Sequence, residues 1–568
     1  MANLNIKSAA SRTYDAIVIG SGMSGGWAAK ELTEKGLKTL VLERGRDVKH
    51  NVDYPTTNMM PWEFAHRGQI PQKIQEENPV VSRCYAFRED AMHFFVKDTE
   101  HPYVQEKPFD WIRGYQVGGK SLLWARQTQR WSDFDFTGPA RDGFAVDWPI
   151  RYKDIAPWYD RVENFIGVSG NKDGLAELPD GDFLPPLELT CVEKYFKEQV
   201  AKNYKNRHVV YGRCAHITEP RPIHLEQGRA QCQHRTICQR GCPFRGYFSS
   251  NSSTLPWAAK TGNLTLRPDA VVHSILFDEA KQKATGVRII DANTKQSEEF
   301  FAPVIFVNAS ALNTNLILLN STSDRFPNGL GNDNGLLGKY VAFHNYRARI
   351  WGEYDGFKEY KTEGKRPTSA YIPRFRNVYR QETDFLRGYA AGFQAGRYDE
   401  TSSDAIGSTL KAALATTNLG PWRVGSHMMG ETIPKETNYV ALHPTEKDAW
   451  GMPKLTISVD YDDNDEKMIR DFIDQFTDMF TKAGFTNIGH SDSKQAPGLD
   501  IHEMGGARMG NDPRTSLLNK WNQLHACKNV FVTDGSCMTS TATQNPSLTY
   551  MALAARAVDY AVKRRGNF

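Results

Sequence analysis

No apolar run in this chain approaches the roughly 18 residues that a membrane-spanning helix needs. Its first residues, Met1 to Arg12, lack the apolar core of a secretory signal. A spanning segment and an export signal of the chain's own are therefore not expected. No excess of one charge sign exists either. Lys and Arg number 70 against 66 Asp and Glu, a net +4, so neither nucleic acid nor an anionic membrane surface is favoured as a partner. Cysteine is scarce, with eight in 568 residues, too few for a disulfide framework in so long a chain. Three of the eight nevertheless cluster, at Cys232, Cys238 and Cys242. The length predicts two or three core-forming units.

The most informative stretch is Tyr14-Asp15-Ala16-Ile17-Val18-Ile19-Gly20-Ser21-Gly22-Met23-Ser24-Gly25-Gly26. It predicts a buried strand, a glycine turn and the start of a helix. Gly20 permits the tight turn, Gly22 lets backbone approach a pyrophosphate, and Gly25 lets helix and strand pack closely. The helix N-terminus would then aim free N–H groups at phosphates. A second strand, Lys38 to Leu42, ends in Glu43, 23 residues after Gly20, where an acceptor for ribose hydroxyls is expected. Strand, glycines, helix, strand and acid together predict a dinucleotide site.

Residues 46–110 are irregular and rich in Pro, His and aromatics, and are expected to form excursions or a lid. Arg113 to Trp124 then carries Gly118-Gly119-Lys120-Ser121, paired glycines before a hydroxyl that let backbone N–H groups reach a ligand. A helix is expected near Cys191–Lys202. Strands are expected at Leu264–Val272, Gly286–Asp291 and Val304–Val307, and residues 345–495 predict a largely antiparallel sheet with helices. The clearest helix runs from Asp463 to Ala483, with Met468, Ile469, Phe472, Ile473, Phe476, Met479 and Phe480 at helical spacing. Near the C-terminus, His502-Glu503-Met504-Gly505-Gly506 precedes a strand at Val530–Val532, a turn at Asp534-Gly535, and Asn545-Pro546-Ser547. Asn545 is expected as N-cap and Pro546 as the first helical residue.

Cys232, Cys238 and Cys242 fall within eleven residues, with glycine and proline bending the loop, which suits a soft metal. Zinc held by the three thiols and His234, an iron–sulfur cluster, and three free thiols all remain open on spacing alone.

The N-terminal unit, the Gly118-Gly119-x-Ser121 stretch closed by Trp124, the cysteine segment and residues 502–560 resemble the glucose–methanol–choline flavin oxidoreductases. Within them the chain looks most like the catalytic subunit of bacterial glucoside 3-dehydrogenases and FAD-dependent glucose dehydrogenases. The resemblance implies an α/β (α+β overall) architecture with a discontinuous Rossmann-like FAD domain from 13–50, 110–130, 226–344 and 496–568. It assigns 51–109, 131–225 and 345–495 to a substrate domain with lid segments. It implies FAD contacts at Gly20, Gly22, Ser24, Gly25, Glu43, Arg44, Gly118, Gly119, Ser121, Leu122, Val272, Asp534, Gly535, Asn545, Pro546 and Ser547. In the pyranose 2-oxidase branch a histidine beside the tryptophan carries the flavin covalently. Leu123 stands there in this chain, which implies non-covalent FAD.

The same resemblance implies a [3Fe–4S] cluster on Cys232, Cys238 and Cys242, with zinc as the alternative. It implies His502 as general base and Asn545, 43 residues later, as its partner. The expected reaction is hydride transfer from a sugar or glycoside hydroxyl carbon to flavin, with electrons leaving through the cluster. Expected partners are a small subunit bearing a twin-arginine signal and a cytochrome c, with export to the bacterial periplasm alongside that subunit. An oxygen-using pyranose or C-glycoside oxidase without a cluster, and a flavin electron carrier with no substrate of its own, are the alternatives.

Overall fold

A computed structural model describes residues 12–361, 367–398, 404–415 and 418–567. Of the N-terminal segment considered as a leader, residues 1–11 lie outside the described residues.

Short apolar runs become strands buried on both faces. β1 (Ala16–Ile19) and β2 (Thr39–Leu42) bury every side chain, the pattern of a parallel sheet covered on each side. α1 (Met23–Glu34) joins them. With β3 (Leu264–Arg267), β4 (Ile305–Val307) and β5 (Val530–Val532) they form a five-stranded sheet, order β5-β4-β1-β2-β3, all neighbours parallel. The sheet is thus assembled from both ends of the chain. Strand order reverses at β1, and a ligand crevice opens at the carboxyl ends of strands at such a switch point.

Of the expected strand Leu264–Val272, only the first part joins this sheet. Leu264–Arg267 joins it, but Asp269 takes a left-handed φ of +54° and turns the chain out. Val272 therefore lies on Ala270–Asp278, in a separate antiparallel sheet with Lys283–Asp291 and Ser297–Phe301. Contact with β2 is kept where Ala270 N donates to Glu43 O at 2.8 Å.

Between residues 345 and 495 an antiparallel sheet contains Ala348–Tyr354, Ala370–Ile372, Tyr389–Gly396, Trp422–Glu431 and Thr486–Asp492. α2 (Asp463–Lys482) covers it. The Asp462 carboxylate accepts from the N–H groups of Asn464 and Asp465 and fixes where the helix starts. Met468, Ile469, Phe472, Phe476, Met479 and Phe480 are buried in the sheet's core.

A fourth sheet is mixed, with parallel and antiparallel neighbours. Its strand Met504–Gly506 pairs antiparallel with Lys339–Ala342, while His344–Asn345 pairs with Gly430 and Glu431 of the antiparallel sheet. This pairing brings the segments of His344 and His502 together at the seam. α3 (Ser547–Arg564) returns the chain beside α1.

Phe472 stacks on Phe476 with ring centroids 4.3 Å apart and meets Tyr389 edge-on. Phe472→Ala is expected to cost about 3–5 kcal/mol, read as a large fall in the denaturation midpoint. A Leu414→Ala control, on a side chain 64% exposed, is expected to leave the midpoint unchanged.

Candidate active site

The carboxyl ends of β1 and β4 open onto a cavity of about 570 Å³, within the roughly 300–1,000 Å³ of small-molecule sites. Its wall includes Gly20, Ser21, Gly22, Ser24, Glu43 and Arg44 from the first βαβ unit, and Gly119 and Ser121 from the second glycine turn. Val272, Asp534, Gly535, Asn545, Pro546, Ser547 and His502 complete that wall.

The three glycines divide their work as the spacing predicts. A Cβ on Gly20, whose φ is +95°, would stand 2.3 Å from Asn308 O, and one on Gly25 would stand 1.9 Å from Gly20 O. Only backbone fits at either position. Beside Gly22 nothing lies within 4 Å of the Cβ position, so the opening there faces the cavity. Asn308, at the end of β4, is buried on the same wall, and its Nδ2 has no protein partner. An open glycine at a helix N-terminus and an unpaired amide donor fit a dinucleotide phosphate.

Ser21 ties the two cofactor segments together. Its Oγ donates to Glu43 Oε2 at 2.5 Å and accepts from Gly118 N at 2.9 Å. Glu43 also accepts from Gly45 N at 3.0 Å. Burial pushes its carboxyl up from the ordinary value, and the Ser21 and Gly45 bonds oppose this. Arg44 is committed elsewhere: its Nη2 pairs with Asp448 at 2.9 Å and its guanidinium lies over Tyr115 and Trp450. Its Nε remains unpaired.

Four expectations need correction. Gly25 and Gly118 do not line the cavity. Gly25 is covered by Gly20 O, and a Cβ on Gly118 would strike Asn251 Oδ1 at 1.6 Å, so both act by permitting close packing. Leu122 is fully buried in an apolar cluster with Val48, Tyr54 and Phe94, facing away from the cavity that Leu123 lines. Leu123 offers no atom for covalent attachment. The cap of α3 is Pro546, with Ser547 the first helical residue, so Asn545 stands one position outside the helix and its amide is free for other contacts.

That amide meets His502. Asn545 Nδ2 lies 3.1 Å from His502 Nε2, both on the cavity wall. Gly535 explains part of the placement: its missing side chain lets Glu503 O approach to 2.4 Å of the Cβ position, so the turn after β5 packs on the His502 segment. Asp534 fixes that turn by accepting from Ser536 N and from Thr314 Oγ1. Burial, then the charges of His344 and Lys120, hold the His502 imidazole well below its ordinary value.

Sequence reading missed two residues here. His344 Nδ1 lies 2.8 Å from His502 Nδ1. Asp500 Oδ2 accepts from the N–H of His344 at 2.9 Å and of His502 at 3.2 Å, and burial pushes its carboxyl up to about 7. The only signal for His344 was a lone histidine after a β run, which reads as an ordinary core residue.

The opposite wall comes from the antiparallel sheet and includes Tyr346, Thr368, Tyr371, Gln394 and His427. Gln127 Nε2 donates to Thr368 Oγ1 at 3.1 Å, and the buried Tyr371 hydroxyl has no partner.

Cys232, Cys238 and Cys242 are free and half-buried around a second, small pocket that they line with His216 and Tyr247. Gly246 N donates to Cys242 Sγ at 3.3 Å, and Cys238 Sγ lies 3.8 Å from His216 Nε2. Among the described residues the three sulfurs do not all converge within 4.8 Å, whereas ligands on one zinc at about 2.3 Å would stand roughly 3.8 Å apart. Gln239, between two of these cysteines, lines the main cavity, so the loop and the cavity are adjacent.

Family models described as GMC oxidoreductase match residues 14–344 and 434–554. The chain belongs to the GMC oxidoreductase family. It is an FAD-dependent oxidoreductase acting on CH–OH groups. Similar proteins include a 2-methyl-1,2-propanediol dehydrogenase from Mycolicibacterium austroafricanum, 29% identical over 97% of this chain and 95% of that one. The fructose dehydrogenase large subunit of Gluconobacter japonicus is 26% identical over 96% and 97%. A paromamine 6'-oxidase from Streptomyces fradiae is 25% identical over 96% and 90%. No helix among the described residues is long and apolar enough to cross a membrane.

The contrast between glycines gives a test. Gly22→Ala is expected to fold and melt like the parent but retain less FAD on gel filtration. Gly25→Ala, which forces backbone apart, is expected to lower both the melting temperature and the yield of folded protein. Equal FAD content in Gly22→Ala and the parent would remove Gly22 from the phosphate site.

Proposed function

We propose that this protein oxidises a hydroxyl of a sugar or glycoside, with C3 of a glucoside as the candidate position. Electrons leave through an iron–sulfur cluster on Cys232, Cys238 and Cys242 to an external acceptor. The observation that carries the reading is the His502–Asn545 pair at 3.1 Å, on a cavity shared with the dinucleotide turn. Bound FAD supplies the hydride acceptor for the carbon being oxidised. His502 takes the hydroxyl proton at Nε2, since a depressed imidazole stays neutral and ready to accept it. Asn545 donates from Nδ2 to the same oxygen and cannot itself take the proton. Ser21, Glu43 and the Gly20–Gly25 turn hold the cofactor's ribose and phosphates. Gln394, His427 and the unpartnered Tyr371 hydroxyl offer several hydrogen bonds to a polyhydroxylated substrate.

The electron route is supported by the adjacency of the cysteine loop and the cavity at Gln239. The fructose dehydrogenase relative is named a large subunit. That supports a partner subunit; we further propose that it is small and carries a twin-arginine signal, that a cytochrome c is the acceptor, and that the two chains are exported together to the periplasm. We assign residues 13–50, 110–130, 226–344 and 496–568 to the FAD-binding unit, and 51–109, 131–225 and 345–495 to the substrate unit and its lid segments. A second reading, an oxygen-using oxidase without the cluster, is favoured by the likeness to a paromamine 6'-oxidase.

Electron paramagnetic resonance separates the two. Air-purified protein is expected to show an oxidised three-iron signal that disappears on anaerobic addition of a methyl glucoside. A silent spectrum, with stoichiometric hydrogen peroxide formed in air, would establish the oxidase instead.

The pH profile tests the base. Protonation of His502 is opposed by burial, His344 and Lys120, and the acids facing this region are Asp500 and Glu503. Neutral His502 is the active form, so activity is lost as pH falls through its depressed value. The acid limb of anaerobic flavin reduction is therefore expected below 6.5, the ordinary histidine value. His502→Ala is expected to keep FAD and lose about 10²–10⁴ in rate. A limb at or above 6.5, or full activity in His502→Ala, would remove this assignment.

A further inference from the structure

The backbone carbonyls of Thr541 and Ala542 both face His344 Nε2, at 3.2 and 3.0 Å. A carbonyl oxygen only accepts, so Nε2 of His344 carries the hydrogen. His344 is fully buried, and burial holds its imidazole down to about 4, so at neutral pH that hydrogen is its only one. Its Nδ1 is then a bare lone pair. The hydrogen in the 2.8 Å contact between the two Nδ1 atoms must therefore belong to His502. A neutral imidazole carries one ring hydrogen. With that hydrogen on Nδ1, His502 Nε2 is bare and faces the Asn545 amide.

We propose that His344 is a positioning residue that fixes His502 as the Nδ1–H tautomer, leaving Nε2 to accept the substrate proton. The proposal rests on reading His502 as the base. It adds the reason why Nε2 is the available nitrogen and identifies the backbone carbonyls that enforce it. When the proton arrives at Nε2, the Nδ1–H bond to His344 is kept, and only the Asn545 amide must turn from Nε2 to the substrate oxygen. The acceptor is a neutral imidazole, so it orients His502 without raising its basicity as a carboxylate would.

The geometry around the pair is fixed from several sides. One carboxylate oxygen of Asp500 receives the backbone N–H of both histidines, clamping the two strands together. Ala542 holds a left-handed φ of +54°, and Gln544 Nε2 donates to the buried Asp135 Oδ2 at 3.1 Å, anchoring the carbonyl-bearing segment. His344, Asp500 and His502 bring ligand-capable atoms within 4.8 Å of one another. The two imidazole nitrogens, however, are separated by 2.8 Å, a hydrogen-bond length. Two nitrogens on one tetrahedral metal at about 2.0–2.1 Å would stand roughly 3.3 Å apart.

The test reads the tautomer directly. Nitrogen-15-labelled histidine in the FAD-loaded protein gives long-range proton–nitrogen spectra that distinguish Nδ1–H from Nε2–H, with His502 assigned by its loss in His502→Ala. The wild type is expected to show His502 as Nδ1–H. His344→Leu removes the acceptor, so the Nε2–H form is expected to appear and anaerobic flavin reduction by a methyl glucoside to fall at least about 100-fold. His344→Asn places an amide oxygen near the former Nδ1, and is expected to retain the Nδ1–H form and a rate within tenfold of wild type. FAD content and melting temperature of both variants check the fold.

An unchanged Nδ1–H signal in His344→Leu would overturn the proposal. So would a rate within threefold of wild type, or equal losses in the Leu and Asn variants with the tautomer unmoved. Full activity in His502→Ala would instead remove the base reading on which the proposal stands.

Discussion

The placement of His502 and Asn545 depends on a group of buried charges that contains neither residue. Asp135, Arg374, Arg387 and Glu431 are all fully or nearly fully buried. Arg387 Nε donates to Glu431 at 2.9 Å, and Arg374 bridges Glu431 and Asp135. Three of the four sit on or beside the antiparallel sheet, whereas Asp135 lies on a helix that caps itself through Ser132. Removing one partner of such a group typically costs 3–5 kcal/mol, because a buried charge is left alone. Through Gln544 the group reaches the segment that carries Asn545 and the carbonyls of Thr541 and Ala542. Through Glu431, paired across the ladder with His344, it reaches the other histidine. One electrostatic cluster therefore sets the relative position of the substrate wall and the proton-handling residues.

What was legible in the sequence follows from how local the cause is. The Gly20–Gly25 turn was readable because each glycine is required by atoms supplied within the same βαβ unit or by the strand beside it. α2 was readable because its apolar spacing is a property of twenty consecutive residues. The pair His502 and Asn545 was readable through the motifs around them, although the cap was assigned one residue early. A proline that keeps helical φ and ψ can itself be the capping residue, and sequence does not distinguish these two registers. His344 was not legible. Its role is created by a strand pairing at Met504–Gly506 and by carbonyls almost two hundred residues away, and a backbone carbonyl has no sequence signature. Leu122 failed for a simpler reason. The stretch forms a short 3-10 helix, Gly119–Leu122, and its rotation leaves Leu123 rather than Leu122 on the cavity wall.

The use of a neutral imidazole behind the base suits the chemistry. A carboxylate in that position would raise the basicity of His502 and favour its protonated form before substrate arrives. Asp500 stands close enough to act in that way, yet its Oδ2 is occupied by two backbone N–H groups. Its contribution is to hold strands, and burial disfavours its charge. The site thus keeps Asp500 near the histidines while directing the hydrogen bonds of its Oδ2 to the backbone, and Glu503 is turned to Lys120.

Arg126 connects this site to the cysteine loop. It is 3% exposed, adopts a φ of +66°, and leaves Nε and Nη2 without hydrogen-bond partners. It pairs with no carboxylate among the described residues. A buried guanidinium without an anion is costly, and a ring such as Tyr247, 4.4 Å away, offsets only about 2 kcal/mol when desolvated. The neighbours able to carry negative charge are Cys238, Tyr247 and Tyr85, and burial pushes both phenols up, which keeps them neutral. Neutral thiols would leave the cation uncompensated, whereas a thiolate at Cys238 would supply the missing charge. Arg126 also lines the flavin cavity. The residue that would gain most from negative charge on the cysteine loop is therefore one that also stands on the cavity wall.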